Sequence, residues 1–474
     1  MDQHAQGKSM SSDAVEIRGP KDVVALVNAG VGKGPSFWVL LIALGGILTD
    51  AYDLISFGIG VPQVTSEFHL SPGQVATISA SLSFGAIFGA WFGGYFIDKI
   101  GRLRMFMLDL VFFVVSAIGA GLSPTPLWLF VFRFLMGIGI GLDYPVALSF
   151  VAEYSALRSK AVNVAAWITV SSSCYVGFYL LVVLPLYLIG TGPNLWRWAI
   201  ALGALPAAIV LVLRYIHMRE SPMWAAIQGD LQEAARILEK SYGVRNVSVV
   251  ASPRPAPSYS IKDFGRIFSK QYLKRTILVS IVCPLQSMLF FAVVFYLPTI
   301  SLLIFGKDFI NAILGSAFFN SFGIIGGIFA AYALPRLGLR RLLLYTLSIL
   351  VVVLVVLGTL NPSLPTFVAA GLLGLFIAAF QGGAGQGGMT MATLSYPTSI
   401  RGAGTGWAQG ILRCGSLLGF YFFPLVLAAV GLGKTLLILA IVPLIMLVSV
   451  LFINWDPVGR DIDAEDFNLP GEVA

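Results

Sequence analysis

The sequence predicts an all-α membrane protein of twelve transmembrane helices in two pseudo-symmetric six-helix bundles. Three observations carry that expectation: composition, the recurrence of long apolar runs, and an echo between the two halves. Of 474 residues, 57% are apolar and 11% charged, against roughly half and a quarter in soluble domains. A soluble globule is excluded. The apolar runs recur to the C-terminus, each able to form the roughly 20-residue helix that crosses a ~30 Å hydrocarbon layer.

Residues 1–35 are polar, carry Lys8, Arg18, Lys21 and Lys33, and hold no apolar run of the kind a secretory signal needs. They read as a cytoplasmic N-terminal tail. Twelve candidate spans follow, near 36–60, 74–97, 105–122, 127–152, 161–189, 195–216, 276–304, 309–334, 340–360, 365–393, 403–430 and 434–454. Spans 1 to 6 form an N-terminal bundle over 36–216, spans 7 to 12 a C-terminal bundle over 276–454, and 455–474 is a second cytoplasmic tail. With the N-terminus inside, the short cytoplasmic loops collect Lys99, Arg102, Arg104, Arg158, Lys160, Arg336, Arg340, Arg341 and Arg401. The opposite connections and their margins hold only Arg197, Lys307 and Lys434, the asymmetry the positive-inside rule requires.

Residues 217–275 form a central loop, also cytoplasmic. Within it, Ile227, Leu231, Ile237 and Leu238 recur near helical spacing among Asp230, Glu233, Arg236 and Glu239, which predicts an amphipathic surface helix over Ser221–Lys240. Ser252–Ser258, with Pro253, Pro255 and Pro257, predicts an extended linker. The +7 formal charge lies in these loops and not beside aromatic stacking platforms, so no nucleic-acid partner is expected. Cys174, Cys283 and Cys414 lie inside apolar runs without pairing or ligand spacing; neither a disulfide nor a metal site is predicted.

The halves echo one another. Gly93–Arg104 closes span 2 and Ala331–Arg341 closes span 8, with Gly101 matching Gly338 and Arg104 matching Arg341. Glu153–Arg158 after span 4 has its counterpart in Tyr396–Arg401 after span 10. Two repeats joined by one loop are the layout of a transporter whose halves rock about a midplane site.

On these residues the chain resembles the major facilitator superfamily from about Ser36 to Asp463. Gly94, Asp98, Lys99, Gly101 and Arg102 match its loop 2–3 motif, and Arg133 with Gly137, Gly139 and Gly141 is similar to its span 4 motif. Trp196-Arg197-Trp198, Glu220-Ser221-Pro222-Met223-Trp224 and Tyr396–Gly402 look like landmarks of its sugar-porter and organic-ion branch. Asp50-Ala51-Tyr52-Asp53 and Gly402–Ser416 resemble spans 1 and 11 of bacterial aromatic-acid:proton and metabolite:proton symporters. Gly141-Leu142-Asp143-Tyr144-Pro145 is similar to phosphate:proton symporters, yet Ala292 stands where those carry an acid in span 7. The resemblance implies an inner-membrane transporter with both termini cytoplasmic, no cofactor beyond the coupling proton, and a monomeric state in the lipid bilayer. In the C-half, Pro335 stands where Asp98 stands in the N-half, so a weaker cytoplasmic gate is expected there.

An ionised Asp at a helix centre costs on the order of 3 kcal/mol to insert, so Asp50 and Asp53 need a polar cavity or a proton. Three residues apart, they share a helical face. That makes them candidate proton carriers, with helix-end solvation as the bland alternative. Asp143, beside Pro145, is a candidate second proton site, and Arg133 a candidate relay partner for a span 1 aspartate. Arg133 and Arg413 are read as the only cations inside spans. Arg413 fits a substrate carboxylate through its planar fork, and the resemblance places an arginine there in organic-anion relatives. Tyr175, Gln286, Asn320, Gln381 and Gln409 are candidate substrate-wall residues, since intramembrane amides either line cavities or join helices. Gly94, Asp98, Gly101, Arg102, Glu153, Arg158 and Arg401 are assigned by resemblance and position to gating.

These readings converge on proton-coupled symport of a small organic anion, a carboxylate that is aromatic or aliphatic. Phosphate or sugar:proton symport, and uncoupled facilitation or export, stay open beside it. No nucleophile–base pair or metal spacing points to an enzyme.

Overall fold

The computed structural model describes residues 15–32, 37–189, 195–244, 246–250, 264–294, 297–306, 309–360 and 364–467. Every predicted span has its helix. Span 1 is broken: Phe37–Ala43 and Gly46–Glu67 meet at a 41° bend. Pro72–Ile100, Arg102–Gly121 and Pro126–Tyr154 are spans 2 to 4. Nine helices among the described residues are long and apolar enough to cross a bilayer, and the bent pair makes a further crossing. The longest, Phe309–Leu360, is two spans joined at Gly338, whose φ of 77° ends one helix and starts the next. Arg401–Leu439 is likewise divided at Gly431 between spans 11 and 12.

Local chemistry explains the boundaries. Ser71 caps span 2 through Gln74 N–H, with Pro72 at the first helical position, where its missing donor costs nothing. Gly101 and Gly338, both at positive φ, close spans 2 and 8. A carboxylate fills each turn: Glu220 accepts Arg102 N–H and Leu103 N–H at 2.9 and 3.1 Å, and Asp456 accepts Leu339 N–H and Arg340 N–H at 3.3 and 3.0 Å. Acids at the starts of spans 3 and 9 thus complement both helix dipoles. Burial pushes the Glu220 carboxyl up, and these backbone donors oppose it.

Three spans carry a π-helical turn midway: Tyr179–Val183 in span 5, Phe290–Val294 in span 7 and Phe380–Ala384 in span 10. Such turns are uncommon and recur at functional sites.

One end of the bundle, here termed the terminal face, gathers residues 15–29, 218–244, 246–249, 264–272 and 453–467. Two expectations change there. The polar tail contains a folded piece, in which Val15–Ile17 pairs in parallel with Val247–Val249, and Pro20–Ala29 is a helix ended by Gly30 at positive φ. The single amphipathic helix of the loop is two, Pro222–Ile227 and Leu231–Ile237, because Gly229 turns the chain and Asp230 caps the second. Met223, Ala226, Leu231 and Ile237 bury against the bundle, so their apolar face meets protein. The predicted linker Ser252–Ser258 lies outside the described residues.

Candidate functional site

Between the bundles lies a cavity lined by residues of both halves. Its wall is built from spans 1, 2, 4 and 5 on one side and 7, 10 and 11 on the other. Two of the π turns place Phe290, Phe291, Phe380 and Gln381 on it. Tyr144, Trp167 and Tyr175 complete an aromatic lining, and Asp50, Gln286, Gln409 and Arg413 are its principal polar groups. Gln286 is held by one end: its Oε1 accepts Gly388 N–H at 2.8 Å beside the span 10 π turn.

Asp50 on span 1 and Arg413 on span 11 face each other across the cavity at 3.9 Å. Both are buried, yet neither Asp50 oxygen nor Arg413 Nε has a hydrogen-bond partner among the described residues. Buried charge with this much unused hydrogen-bonding capacity is costly in a membrane interior. Asp53, one turn on, points elsewhere: Arg133 Nη1 donates to it at 3.3 Å, and the guanidinium stacks on Phe57 at 3.5 Å. The two span 1 acids therefore have separate cationic partners in opposite halves.

Toward the terminal face the cavity is shut. Trp91 and Trp407 stack across the boundary, 5.9 Å between ring centroids. Below them spans 2 and 11 touch backbone to backbone, where a Cβ on Gly94 would lie 2.7 Å from Gly402 O. Asp98 then accepts Gly402 N–H and Ala403 N–H at 3.0 and 2.9 Å, an anion seated on the start of span 11. Arg102 donates to Glu153, Asp98, Ile97 O and Thr398 O, and Arg401 joins from the other half through Glu153 at 3.1 Å, Thr398, Thr393 O and Asp463. Lys160 reaches Asp463 at 2.6 Å. Burial alone pushes the Asp463 carboxyl up, but Arg401 and Lys160 outweigh it and hold the group below the usual carboxylate range.

A family profile described as sugar (and other) transporter matches residues 38–465. The chain belongs to that family. The transporter is 30% identical over 408 residues to the inner membrane metabolite transport protein YgcS of Escherichia coli K12, covering 86% of this chain and 88% of that one. It is 24% identical over 445 residues to the glucose transporter GlcP of Staphylococcus epidermidis, covering 91% and 96%. Among solved structures it is similar to the major facilitator superfamily proton:xylose symporter XylE of E. coli bound to 6-bromo-6-deoxy-D-glucose. There the TM-score is 0.75 at 19% identity, covering 92% of this chain and 99% of that one. The transporter is thus a multi-pass membrane protein of the major facilitator fold, not an enzyme, and needs no cofactor.

Its geometry sorts the residues singled out in the sequence. Asp50, Arg413, Tyr175, Gln286, Gln381 and Gln409 line one cavity. Asn320 does not: its Nδ2 donates to Ser316 O one turn back at 2.8 Å, inside the C-terminal bundle. Gly94, Asp98, Gly101, Arg102, Glu153 and Arg401 meet at the shut face, whereas Arg158 is exposed and outside the network. Pro335 is exposed and latches nothing, so the Asp98 contact has no C-half twin. Asp143 turns away from the cavity to Arg214 Nη2 at 2.8 Å. Arg214 is a third intramembrane cation, buried in span 6 and paired also with Asp109 of span 3. Reading Arg133 and Arg413 as the only such cations missed it.

Proposed function

We propose that the transporter is a symporter of the inner membrane that moves a small organic anion, a carboxylate, together with protons, and that the terminal face is cytoplasmic. The observation that carries this reading is the under-bonded Asp50–Arg413 pair spanning the cavity between the two halves. While Asp50 is ionised it occupies Arg413 electrostatically. A proton on Asp50 releases the guanidinium, whose planar fork then accepts a carboxylate in bidentate fashion. At this separation the attraction at stake is on the order of 4 kcal/mol for an effective dielectric near 20. Proton and anion therefore strengthen each other's binding, as symport needs. Asp53 with Arg133 serves as a second coupling pair, and the aromatic wall accepts the apolar body of the anion.

The gating residues hold the cytoplasmic side shut in this form, so the loaded cavity would discharge only after Asp98, Glu153 and Arg401 exchange partners. The transmembrane potential supplies about 2.3 kcal/mol per net charge per 100 mV. A screen of mono- and dicarboxylic acids by thermal shift on purified protein tests the reading. A stabilising acid should lose its effect in Arg413→Ala, and its uptake into proteoliposomes should stop when the pH gradient and potential are collapsed. Stabilisation unaffected by Arg413→Ala would sink it.

A neutral sugar is the second reading. Gln286, Gln381 and Gln409 offer amides suited to hydroxyls, Trp167 offers a stacking face, and GlcP and XylE are named for sugars. Stabilisation by sugars alone, equal in wild type and Arg413→Ala, would favour it.

A further inference from the structure

A second buried charge cluster sits beside the cavity without opening into it. Arg214 of span 6 is fully buried with its guanidinium over the Phe106 ring at 4.1 Å. Its five N–H donors are all engaged. Nη1 donates to Phe106 O at 3.1 Å and to both Asp109 oxygens at 3.2 and 3.3 Å. Nη2 donates to Asp143 Oδ1 at 2.8 Å and to Ala43 O at 3.0 Å, and Nε to Ile42 O at 3.4 Å. Those two carbonyls belong to the break in span 1. Ile47 N–H, the ordinary helical partner of Ala43 O, is drawn to Leu44 O instead, and Arg214 takes the freed acceptor.

Asp143 presses on the other side of the same break. A Cβ on Gly46 would lie 2.1 Å from Asp143 Oδ1, so the carboxyl rests directly on the glycine. Its second oxygen, Oδ2, is buried and has no donor among the described residues, and the Asp109 and Asp143 carboxyls lie within hydrogen-bonding reach of each other. The other ionisable groups facing the cluster are Asp50 from span 1 and Tyr144 from span 4. Two ionised carboxylates against one guanidinium would leave a net negative charge in a dry site, the arrangement in which carboxylates share a proton. With a proton on Asp143 Oδ2, that atom becomes the donor, Asp109 accepts, and the cluster is neutral.

We propose that Asp109 and Asp143 hold one shared proton in this conformation, and that Arg214 couples its loss to the bend of span 1. When the proton leaves, both carboxylates are acceptors only. Arg214 has no spare N–H, so the newly charged Asp143 oxygen gains a donor from it only at the expense of a backbone carbonyl, and Ala43 O shares Nη2 with Asp143. The clasp on the span 1 break then opens one turn from Asp50. This site is separate from the Asp50–Arg413 pair and does not rest on the identity of the substrate.

Difference infrared spectroscopy of the full-length protein in lipid vesicles, titrated with pH, tests this directly. Wild type should show a carboxylic C=O band that survives in Asp50→Asn and Asp53→Asn. Asp109→Asn and Asp143→Asn should each abolish it, and the double variant should remove nothing further. Both substitutions are isosteric, so either one alone keeps the test alive if the other fails to fold. In parallel, amide-exchange protection over residues 42–50, corrected for intrinsic pH dependence, should fall in wild type as that band titrates away and stay flat with pH in Asp143→Asn. A band that persists in both single variants, or disappears only with Asp50→Asn, overturns the proposal, as does protection that ignores the titration.

Discussion

The midplane pair and the network at the terminal face use the same residue types to opposite effect. Arg102 and Arg401 have every guanidinium nitrogen engaged, by Glu153, Asp98, Asp463 and carbonyl oxygens drawn from both halves. Arg413 has one carboxylate at 3.9 Å and an idle Nε. With every nitrogen of both guanidiniums engaged, although Glu153 Oε2 has no partner among the described residues, the network lowers the energy of the one conformation in which its partners coincide. An unsaturated pair costs about 1–3 kcal/mol per stranded group, and is tolerated where a proton and a ligand complete it. On the proposed reading, engaged guanidiniums mark the part that holds shape and the under-bonded pair marks the part that binds.

The contrast breaks most visibly at Glu153. Glu153→Ala leaves Arg102 and Arg401 buried around a missing anion, and removing one partner of a buried pair costs about 3–5 kcal/mol. Ser149 is fully buried beside Thr405 of the other half. With Cys174, Cys283 and Cys414 replaced by Ser, maleimide labelling of Ser149→Cys should accelerate by roughly a hundredfold or more when Glu153→Ala is added. Unchanged labelling would show that the network does not hold the face shut. Gly94→Ala comes next. Its methyl group would press on Gly402 O, a strain of about 1–3 kcal/mol. The same labelling should rise about tenfold, while Gly371→Ala, whose Cβ meets open space, changes nothing.

Much of this was legible because it is local. Apolar runs place the spans, and the Gly94–Arg102 signature places the latch, within single stretches of chain. Amides and charges in apolar runs singled out Gln286, Gln381, Gln409, Asp50 and Arg413, which the structure brings to the wall of one cavity. Which way they turn is not local: Asn320 and Gln381 read alike, yet one bonds to its own helix and the other lines the cavity. Asp50 and Asp53 share a face by spacing, but partners from spans 11 and 4 divide them. Arg214 was passed over although it lies inside predicted span 6, two residues before its end at 216 and next to the exposed Tyr215. The intramembrane Asp109 was the signal that it had a partner. The N-terminal helix was also announced, by Pro20 at its start, Asp22 in its first turn and Gly30 after its end, a pattern that the tail's overall polarity concealed.

The binding side of the contrast sharpens at Asp50. Asp50→Asn removes the internal competitor for Arg413 and the proton that relieves it. A carboxylic acid that stabilises the wild-type protein should bind Asp50→Asn at least tenfold more tightly at high pH, about 1.4 kcal/mol, with its pH dependence lost. The readout is isothermal titration at two pH values on either side of the wild-type transition. Affinity that still follows pH in Asp50→Asn would move the coupling proton to another group, Asp53 first.

The holding side has a smaller, pH-dependent edge in the C-terminal strap. Asp466 accepts Ser399 N–H at 3.1 Å and the Ser399 hydroxyl, while burial pushes its carboxyl up to about 6 against both contacts. An undocked carboxyl titrates near 3.9. The docked strap therefore binds more protons in between, and this residue's contribution is complete below about pH 4 and lost as pH rises through about 6. Allowing for screening at a partly exposed site, the effect is about 1 kcal/mol. Asp463 runs the other way: held below the usual range by Arg401 and Lys160, it supports docking above that range and ceases to as pH falls. Amide exchange over residues 463–467, corrected for intrinsic pH dependence, should show protection declining from about pH 4 to 7 in wild type. Asp466→Asn should abolish that decline while Lys160→Met weakens protection mainly at the upper end. Coincident wild-type and Asp466→Asn curves would mean that the strap is held by Asp463 alone.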